Sequence, residues 1–273
     1  MPELPEVETI RRGLEPLLSD QIIRQVTVRR PDLRWPIPAE VLRQSLPGQT
    51  ILAVTRRGKY LLLPIADGTL IVHLGMSGVL RYLAADTPFV KHDHFDLALG
   101  NGAHLRLNDP RRFGAVLWTT QPAKSHPLIA SLGPEPLTDD FSKKQLYEQS
   151  RGRKLAIKNF IMDAHHVVGV GNIYAAEALF LAGIHPEQAA GDLTKPAAER
   201  LVSAIKKVLT FAIEQGGTTL KDFRHSDGQP GYFQQSLNVY GRQGQGCPAC
   251  STPIEQIRLG GRSTAFCPQC QKC

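Results

Sequence analysis

Four cysteines near the end of the chain have the spacing of a metal site. The C-x2-C pair Cys247 and Cys250 is followed, after sixteen residues, by the pair Cys267 and Cys270. Each pair can present two thiolates from a tight turn, and two such turns complete a tetrahedral shell around Zn²⁺. Because four thiolates leave no open coordination position, we predict one structural zinc ion. Redox dithiols are the alternative, and the matched spacing favours zinc. Cys273 is left over and is predicted to be a free thiol.

The N-terminus is the second place where residue types suggest chemistry. If Met1 is removed, Pro2 presents a secondary α-amine, and α-amino groups titrate at roughly 7.7–8.0, far below lysine. A helix that begins near Pro5 lowers the pKa of this amine, whereas the carboxylates of Glu3 and Glu6 raise it. The sequence does not decide which effect is larger. Pro2 is therefore a candidate nucleophile.

The elements that must position these residues divide the chain into a strand-rich part and a helical part. Residues 5–18 have helical spacing, and the acidic residues there need do no more than favour a helix N-terminus. Short β-rich runs separated by turn residues are typical of a β-sandwich or barrel; they cover residues 23–28, 50–54, 60–63, 70–74, 95–99 and 115–118. After a Gly- and Pro-containing linker, helices are predicted at 142–149, 156–163, 172–182 and 195–215.

Charge and composition limit the partners. The net charge of +7 and the pI of about 9.3 favour a polyanionic partner, nucleic acid or an anionic membrane surface, over a basic surface without a partner. No segment approaches the roughly 20 apolar residues that span a bilayer. The N-terminus lacks the basic and apolar segments of a secretory signal. We therefore expect a cytoplasmic protein that contacts no membrane.

Several segments resemble those of bacterial formamidopyrimidine-DNA glycosylases, in family order from one end of the chain to the other. They are Pro2-Glu-Leu-Pro-Glu-Val-Glu8, Arg57-Gly-Lys-Tyr60, His73-Leu-Gly-Met-Ser-Gly78, Asp109-Pro-Arg-Arg-Phe-Gly114, Leu132-Gly-Pro-Glu-Pro-Leu137, Val168-Gly-Val-Gly-Asn-Ile-Tyr174 and the four-cysteine tail. The related endonuclease VIII group usually has Gly where this chain has Leu4, which points to the branch that acts on purine damage.

The resemblance implies an α+β fold. An N-terminal catalytic β-sandwich with flanking helices is expected at 1–128 and a linker at 129–137. A helical DNA-binding domain with a helix–two-turn–helix is expected at 138–240, and a four-cysteine zinc finger at 241–273. Double-stranded DNA with oxidised bases or abasic sites is the implied partner. One structural Zn²⁺, no nucleotide cofactor and a monomer are expected.

The implied activity is a bifunctional glycosylase and AP lyase for 8-oxoguanine and formamidopyrimidines. Attack of Pro2 nitrogen on the sugar C1′ expels the base and leaves a cationic iminium, which acidifies the C2′ protons and permits β- and δ-elimination. Glu3 is the expected general acid and base, while Glu6 orients the amine or the extruded nucleotide. Lys59, grouped with the catalytic residues, grips a phosphate beside the target.

The resemblance also implies DNA contacts. Phosphate contacts fall on His73, Asn172 and Arg262, and Asn172 begins a helix whose N-terminus suits an anion. Met76, Arg111 and Phe113 match the residues that fill the gap left by the extruded base, with Arg111 bonded to the opposite cytosine. In isolation a Met or Phe beside glycine is more often core. The remaining candidates are Lys158 near the oxidised base, and Thr218, Thr219 and Tyr232 in a loop from Gly217 to Tyr232 that covers it.

Other patterns in the sequence carry less weight than these. One face of a predicted strand could present three metal ligands, His92, His94 and Asp96. No fourth ligand lies at a spacing typical of a metal site. Glu135 and Glu177 are similar to family positions, but linker and helix structure alone would also be enough to account for them. The same chemistry on oxidised pyrimidines and a non-enzymatic zinc-ribbon DNA-binding protein remain as alternative functions. The second of these predicts damage to the N-terminal Pro-Glu pair, which is intact here.

Overall fold

The structure is a computed structural model that describes residues 2–217 and 237–272. Its contacts divide the described residues into two compact units. The first contains residues 2–130 with 216 and 217, and the second contains residues 131–215 and 237–272. The boundary between the units, after residue 130, falls within the stretch 129–137 that was predicted as a linker, and those bounds stay a prediction. The predicted helical and zinc-finger segments fall within one unit, and their division at residue 240 stays a prediction.

The first unit opens with helix α1 (Leu4–Leu18), one residue earlier than its predicted start. Pro5 lies in its first turn, where the missing N–H costs no hydrogen bond. Four apolar side chains of α1 recur at helical spacing and are almost completely buried against the sandwich, namely Val7, Ile10, Leu14 and Leu18, whereas Leu17 is 37% exposed. This face fixes the helix, and with it the position of the residues at its N-terminus.

Two four-stranded antiparallel sheets form the sandwich. The first has the order β1-β6-β7-β5 and the second the order β2-β3-β4-β8. The strands are β1 (Ile23–Val28), β2 (Thr55–Arg57), β3 (Tyr60–Ile65), β4 (Gly68–His73), β5 (Val79–Leu83), β6 (Asp93–Leu99), β7 (His104–Asn108) and β8 (Ala115–Thr119). Inward side chains of both sheets share one apolar cluster with α1, as expected for a sandwich. Helices α2 (Ala39–Ser45) and α3 (Pro127–Ala130) flank the sheets.

The sequence patterns located some strands and missed others. The strand predicted at 50–54 is wrong, because Thr50 forms only an isolated bridge with Ile22 and residues 51–54 are not in a strand. Ile51 and Val54 are nevertheless fully buried, so their apolar character reflects core packing rather than strand pairing. Strands β5 and β7 were missed, since Arg81 and Arg106 interrupt their apolar alternation.

The described part of the second unit contains four α-helices and a hairpin. The helices are α4 (Lys143–Ser150), α5 (Ile157–Met162), α6 (Asn172–Ala182) and α7 (Lys195–Glu214). The hydroxyls of Ser142 and Thr194 accept backbone N–H groups at the starts of α4 and α7, so both helices begin where a capping residue stands. Gly183 ends α6 in the left-handed conformation.

The segment between the two cysteine pairs forms a β-hairpin. Strand β9 (Glu255–Leu259) pairs with β10 (Arg262–Phe266), and Arg262 faces Leu259 across the turn. The two turn residues, Gly260 and Gly261, both have positive φ, which two-residue hairpin turns of this hand require. The glycine pair was the signal that could have predicted it.

Within the part of the chain that the structure describes, no helix combines the length and apolar character needed to cross a membrane.

Candidate functional site

The N-terminal turn of α1 is buried and acidic. Pro2 is buried, and Glu3 and Glu6 are 3% and 0% exposed. The backbone N–H of Glu3 donates to Oε2 of Glu6 at 2.8 Å, which closes the first turn on itself. Two carboxylates held out of water beside a helix N-terminus are suited to proton transfer and to orienting a neighbouring amine. The structure therefore brings the three predicted N-terminal residues together.

Glu8 ties this helix to the turn that carries Lys59. Arg56 Nε donates to Oε2 of Glu8 at 3.0 Å. Burial raises the pKa of the Glu8 carboxyl, but hydrogen bonds from three arginines, including Arg11 and Arg56, outweigh it and hold this pKa below its usual value. Glu8 is therefore an ionised structural anchor. It was predicted only to favour the helix N-terminus, and the ion pair with Arg56 was missed.

Lys59 lies in the two-residue turn between β2 and β3. Arg57 pairs with Tyr60 across this turn, and Gly58 takes a positive φ of 57°. Arg56 also donates to the Gly58 carbonyl at 2.9 Å, which fixes the turn from its other side. Lys59 is partly buried, so its ammonium is presented from a braced turn rather than from a free loop.

His73 lies at the end of β4, opposite Tyr60, with the two ring centroids 4.7 Å apart. Its Nδ1 accepts the N–H of Gly75 at 3.1 Å, which leaves the proton on Nε2. Burial, reinforced by the charges of Lys59 and Arg34, lowers the pKa of His73 to about 4. His73 is therefore neutral near pH 7 and suits a phosphate as a hydrogen-bond donor rather than as a cation.

The three predicted gap-filling residues lie on two touching loops of the first unit. Met76 and Phe113 are 39% and 40% exposed, so the alternative that they are core residues is wrong. Arg111 is exposed, and its guanidinium lies 5.1 Å from the centre of the Phe113 ring. A Cβ added to Gly75 would lie 2.3 Å from the carbonyl carbon of Phe113, which shows how closely the loops approach.

Lys158 differs from its prediction. It is 0% exposed, so in this structure it presents no surface to an oxidised base. Its Nζ donates to Oδ1 of Asn172 at 2.5 Å and to Oγ1 of Thr264 at 2.6 Å. Asn172 in turn donates to the Ser263 carbonyl at 3.0 Å. Lys158 thus joins the N-terminus of α6 to β10, which begins with the exposed Arg262.

Glu177 holds the segment that leads into the cysteines. It is 1% exposed on α6, and its carboxylate accepts the backbone N–H groups of Asn238, Val239 and Tyr240, at 2.8 to 2.9 Å. The Asn238 side chain donates a further bond at 2.9 Å. Glu177 is therefore more than a helix residue, and no sequence pattern indicated this anchoring role.

The four cysteines fit zinc. Ligand atoms of all four lie within 4.8 Å of one another. A tetrahedron with Zn–S bonds of about 2.3 Å requires S···S distances of roughly 3.8 Å. The Sγ atom of Cys250 lies 3.5 Å from those of Cys267 and Cys270, and Cys247 lies 3.9 Å from Cys270. The donor set and its spacing therefore match one structural Zn²⁺.

Hydrogen bonds give the thiols of Cys250 and Cys270 different pKa values and favour the thiolate of Cys250. Hydrogen bonds from Thr252 lower the pKa of Cys250 to about 6. The hydrogen bond with Cys250 raises the pKa of Cys270 to about 12. A metal ion bound here displaces the remaining thiol protons, since thiolates are the ligands.

The proposed histidine and aspartate ligands serve other purposes. Among the described residues, the four cysteines are the one group of three or more His, Cys, Asp and Glu side chains placed to hold a metal ion. His94 Nε2 lies 2.9 Å from the Asp109 carbonyl, while Asp96 is bonded to Arg106 and His104. Thr218, Thr219 and Tyr232 lie outside the described residues, as do Met1 and Cys273.

Three family models match successive parts of the chain. The formamidopyrimidine-DNA glycosylase N-terminal domain matches residues 1–116. The formamidopyrimidine-DNA glycosylase H2TH domain matches residues 132–224. The zinc finger found in FPG and IleRS matches residues 244–272, the segment that contains the four cysteines.

Relatives and solved structures agree with these models over the full length. Proteins named formamidopyrimidine-DNA glycosylase from Thioalkalivibrio sulfidiphilus and Magnetococcus marinus are 57% and 58% identical, with 100% of each chain covered. The MutM (Fpg) crystal structure from Thermus thermophilus has a TM-score of 0.89 and 41% identity, and covers 99% of this chain and 98% of that one. Lactococcus lactis Fpg in complex with abasic-site DNA has a TM-score of 0.92 and 36% identity, over 99% of this chain and 100% of that one. The chain belongs to the formamidopyrimidine-DNA glycosylase family.

Proposed function

We propose that this protein is a base-excision-repair DNA glycosylase and AP lyase for oxidised purines, chiefly 8-oxoguanine and formamidopyrimidines in double-stranded DNA. The observation that carries the proposal is the buried N-terminal turn, where Pro2 precedes two carboxylates that are almost completely removed from water. Full-length relatives with the glycosylase name support it. Related Fpg structures in complex with DNA that contains Fapy-dG or 8-oxoguanine support the substrate class.

The reaction begins when Met1 has been removed. The lone pair of Pro2 nitrogen bonds to C1′ of the extruded nucleotide, the bond from C1′ to the base breaks, and the base takes up the proton that the Pro2 N–H loses. Protonation of the ring oxygen by Glu3 opens the sugar and leaves an iminium between Pro2 and C1′. Glu6 keeps the turn closed through its bond to the Glu3 N–H.

Strand cleavage follows from the positive charge of the iminium. Loss of a C2′ proton expels the 3′ phosphate, and a second elimination expels the 5′ phosphate. Water then hydrolyses the imine and restores the Pro2 amine. Because proline is a secondary amine, its adduct is cationic without a separate protonation step.

The remaining predicted residues hold the DNA. Phosphates around the target are contacted by Lys59, His73, Asn172 and Arg262. The zinc ion held by the four cysteines stabilises the hairpin from which Arg262 projects. Lys158 acts through Asn172 in this proposal.

The gap left by the base is filled by Met76, Arg111 and Phe113, with Arg111 donating to the opposite cytosine. Thr218, Thr219 and Tyr232, which lie outside the described residues, are proposed to contact the extruded base. The proposal includes a monomer in the cytoplasm, associated with the nucleoid, where its DNA substrate lies.

Borohydride trapping tests this proposal. One preparation carries an N-terminal extension that blocks Pro2, and its matched control is the same preparation after a protease has exposed Pro2. On duplex DNA with 8-oxoguanine opposite cytosine, we expect a covalent adduct from the exposed form alone. In the exposed form, Glu3→Gln should slow trapping, whereas Glu15→Gln on the solvent side of α1 should not. Equal cleavage by the blocked form would overturn the Pro2 mechanism, and excision of oxidised pyrimidines alone would overturn the substrate class.

A further inference from the structure

Asp109 joins the two loops that carry the gap-filling residues. We call residues 73–78 the Met76 turn and residues 109–114 the Arg111 loop. Asp109 is 0% exposed and begins the Arg111 loop immediately after β7. The chemistry proposed above uses Arg111 and Phe113 of this loop but gives Asp109 no task.

Both oxygens of the Asp109 carboxylate are bonded to the two loops. Ser77, which follows Met76, donates its hydroxyl to Oδ1 at 2.9 Å. The backbone N–H of Gly114, which follows Phe113, donates to Oδ2 at 2.8 Å. The Ser77 hydroxyl also accepts the Arg111 N–H at 3.3 Å. One carboxylate therefore lies at the centre of bonds to residues next to Met76 and Phe113, and reaches Arg111 through Ser77.

The sheet fixes Asp109 itself. Its carbonyl lies 2.9 Å from Nε2 of the buried His94, and its N–H donates to the His92 carbonyl at 3.0 Å. His94 lies where the register of β6 against β7 shifts, between Asp93 and Phe95. Such irregularities re-aim a side chain out of the regular ladder. The Arg111 loop is thus anchored where β6 begins and β7 ends, at the two inner strands of the sheet.

The charge of Asp109 is stabilised by hydrogen bonds. Within the described ranges, 2–217 and 237–272, no Lys, Arg or His nitrogen lies within 4.0 Å of its carboxylate as an ion pair. A buried carboxylate without an ion pair remains favourable when charge-assisted hydrogen bonds satisfy its oxygens. Such bonds are stronger than neutral ones, so Asp109 constrains both loops more firmly than an amide would.

The loops also leave no room to shift independently. A Cβ on Gly114 would lie 2.8 Å from the His73 carbonyl oxygen and 3.0 Å from Oδ2 of Asp109. A Cβ on Gly75 would lie still closer to its neighbour, 2.3 Å from the Phe113 carbonyl carbon, and Gly75 takes a positive φ of 61°. Movement of either loop would therefore break the Asp109 bonds or move the other loop with it.

We propose that Asp109 is a positioning residue that makes Met76, Arg111 and Phe113 enter the gap as one rigid group, and that discrimination of the base opposite the lesion depends on it. This inference rests on the proposed function. If Arg111 reads the opposite base, its discrimination requires a fixed loop, since a loosened loop lets Arg111 accommodate a wrong partner.

The test compares Asp109→Ala, Asp109→Asn and the control Asp32→Asn. Asp32 is exposed and accepts a bond from Arg112 of the same loop at 2.8 Å, so the control removes an ion pair from the Arg111 loop without touching its buried anchor. Single-turnover excision of 8-oxoguanine is measured opposite cytosine and opposite adenine. Trapping on a single-stranded abasic oligonucleotide, which has no opposite base, is measured in parallel, and thermal unfolding checks the fold.

We expect the cytosine-to-adenine ratio of rates to fall about tenfold in Asp109→Ala, from the loss of a charge-assisted bond. Asp109→Asn restores one acceptor and should recover part of the ratio, while single-stranded trapping and Asp32→Asn stay at wild-type values. If Asp109→Ala does not fold, Ser77→Ala removes one bond of the same set and should lower the ratio about threefold. An unchanged ratio in a folded variant would overturn the inference. Absence of excision and trapping in the wild type would instead overturn the proposed function.

Discussion

The two units of this protein hold their predicted DNA contacts with buried charges of opposite sign. In the strand-rich unit, the carboxylate of Asp109 accepts hydrogen bonds from the loops that carry Met76 and Phe113. In the helical unit, the ammonium of Lys158 donates to Asn172 and to Thr264 of the hairpin between the two cysteine pairs. Both side chains are 0% exposed. In each unit, a fully buried ionic group fixes the position of neighbouring residues that are proposed to contact DNA.

The hydrogen-bond networks of Asp109 and Lys158 differ in the parts of the chain that they connect. The bonds of the Asp109 carboxylate reach residues at most 32 positions away along the chain, all within the strand-rich unit. Lys158 joins α5 to a hairpin 106 positions away, and that hairpin lies between the two cysteine pairs. Loss of the metal should therefore disorganise the helical unit's contacts and leave the sandwich loops in place. Buried charge gives rigidity in both units, but only one of them needs zinc for it.

The largest expected effect comes from breaking the zinc site. Cys250→Ser removes one ligand at an exposed position, and DNA affinity should fall roughly a hundredfold, because structural zinc contributes on the order of 10 kcal/mol to the folding of such segments. Zinc content and fluorescence anisotropy with duplex DNA measure this. Cys273→Ser is the control for loss of a thiol and should bind as the wild type does.

The Cys250→Ser variant also tests whether the strand-rich unit is independent of zinc. Trp35 and Trp118, the two tryptophans of the chain, both lie in the strand-rich unit. Tryptophan emission and its denaturation midpoint should therefore stay at wild-type values in Cys250→Ser. A shifted emission spectrum would mean that the sandwich also depends on zinc. The two units would then not differ in their need for the metal.

A smaller effect is expected from Lys158→Met. The substitution keeps the apolar stem but leaves Asn172 Oδ1 and Thr264 Oγ1 without their charged donor, which should cost about 2 kcal/mol of unfolding free energy. DNA affinity should weaken about tenfold as Asn172 loses its fixed orientation. Circular dichroism of thermal unfolding and anisotropy measure both, and Lys154→Met, at an exposed position nearby, should change neither. A stable Lys158→Met with normal affinity would contradict the positioning role.

The smallest effect concerns pH and His73. Its pKa is about 4 when folded and 6.5 ordinarily, so above 6.5 both states are neutral and pH has no effect through it. Below 6.5 the unfolded chain takes up the proton while the folded chain does not, so stability is lost as the pH falls toward 4. His73→Gln should lose less stability than the wild type between about pH 7.5 and about pH 5, measured by thermal unfolding. Equal losses would place the folded pKa near its ordinary value.

What the sequence predicted well was local. The zinc ligands depend on two short spacings, and α6 was predicted at its observed bounds, Asn172–Ala182, because glycines flank it on both sides. The hairpin between the cysteine pairs also had a local signal in Gly260 and Gly261, which was overlooked.

What the sequence could not provide was long-range pairing. Lys158 was predicted to contact DNA near the oxidised base. Its burial against Thr264 could not be predicted, because no residue near Lys158 in the sequence indicates it. The anchoring roles of Glu177 and Asp109 likewise depend on backbone N–H groups brought close by folding. Burial of the N-terminal carboxylates was equally invisible, since acidic residues are ordinarily exposed.

The neutral state of His73 has a consequence for ionic strength. Of the four phosphate contacts proposed here, His73 and Asn172 carry no charge near pH 7, so only Lys59 and Arg262 displace counterions from the DNA backbone. Two such cations correspond to a log–log dependence of affinity on salt of roughly −1.8 from these contacts, half of what four cations would give. A repair enzyme that grips the backbone partly through uncharged donors keeps hold of its target when intracellular salt rises.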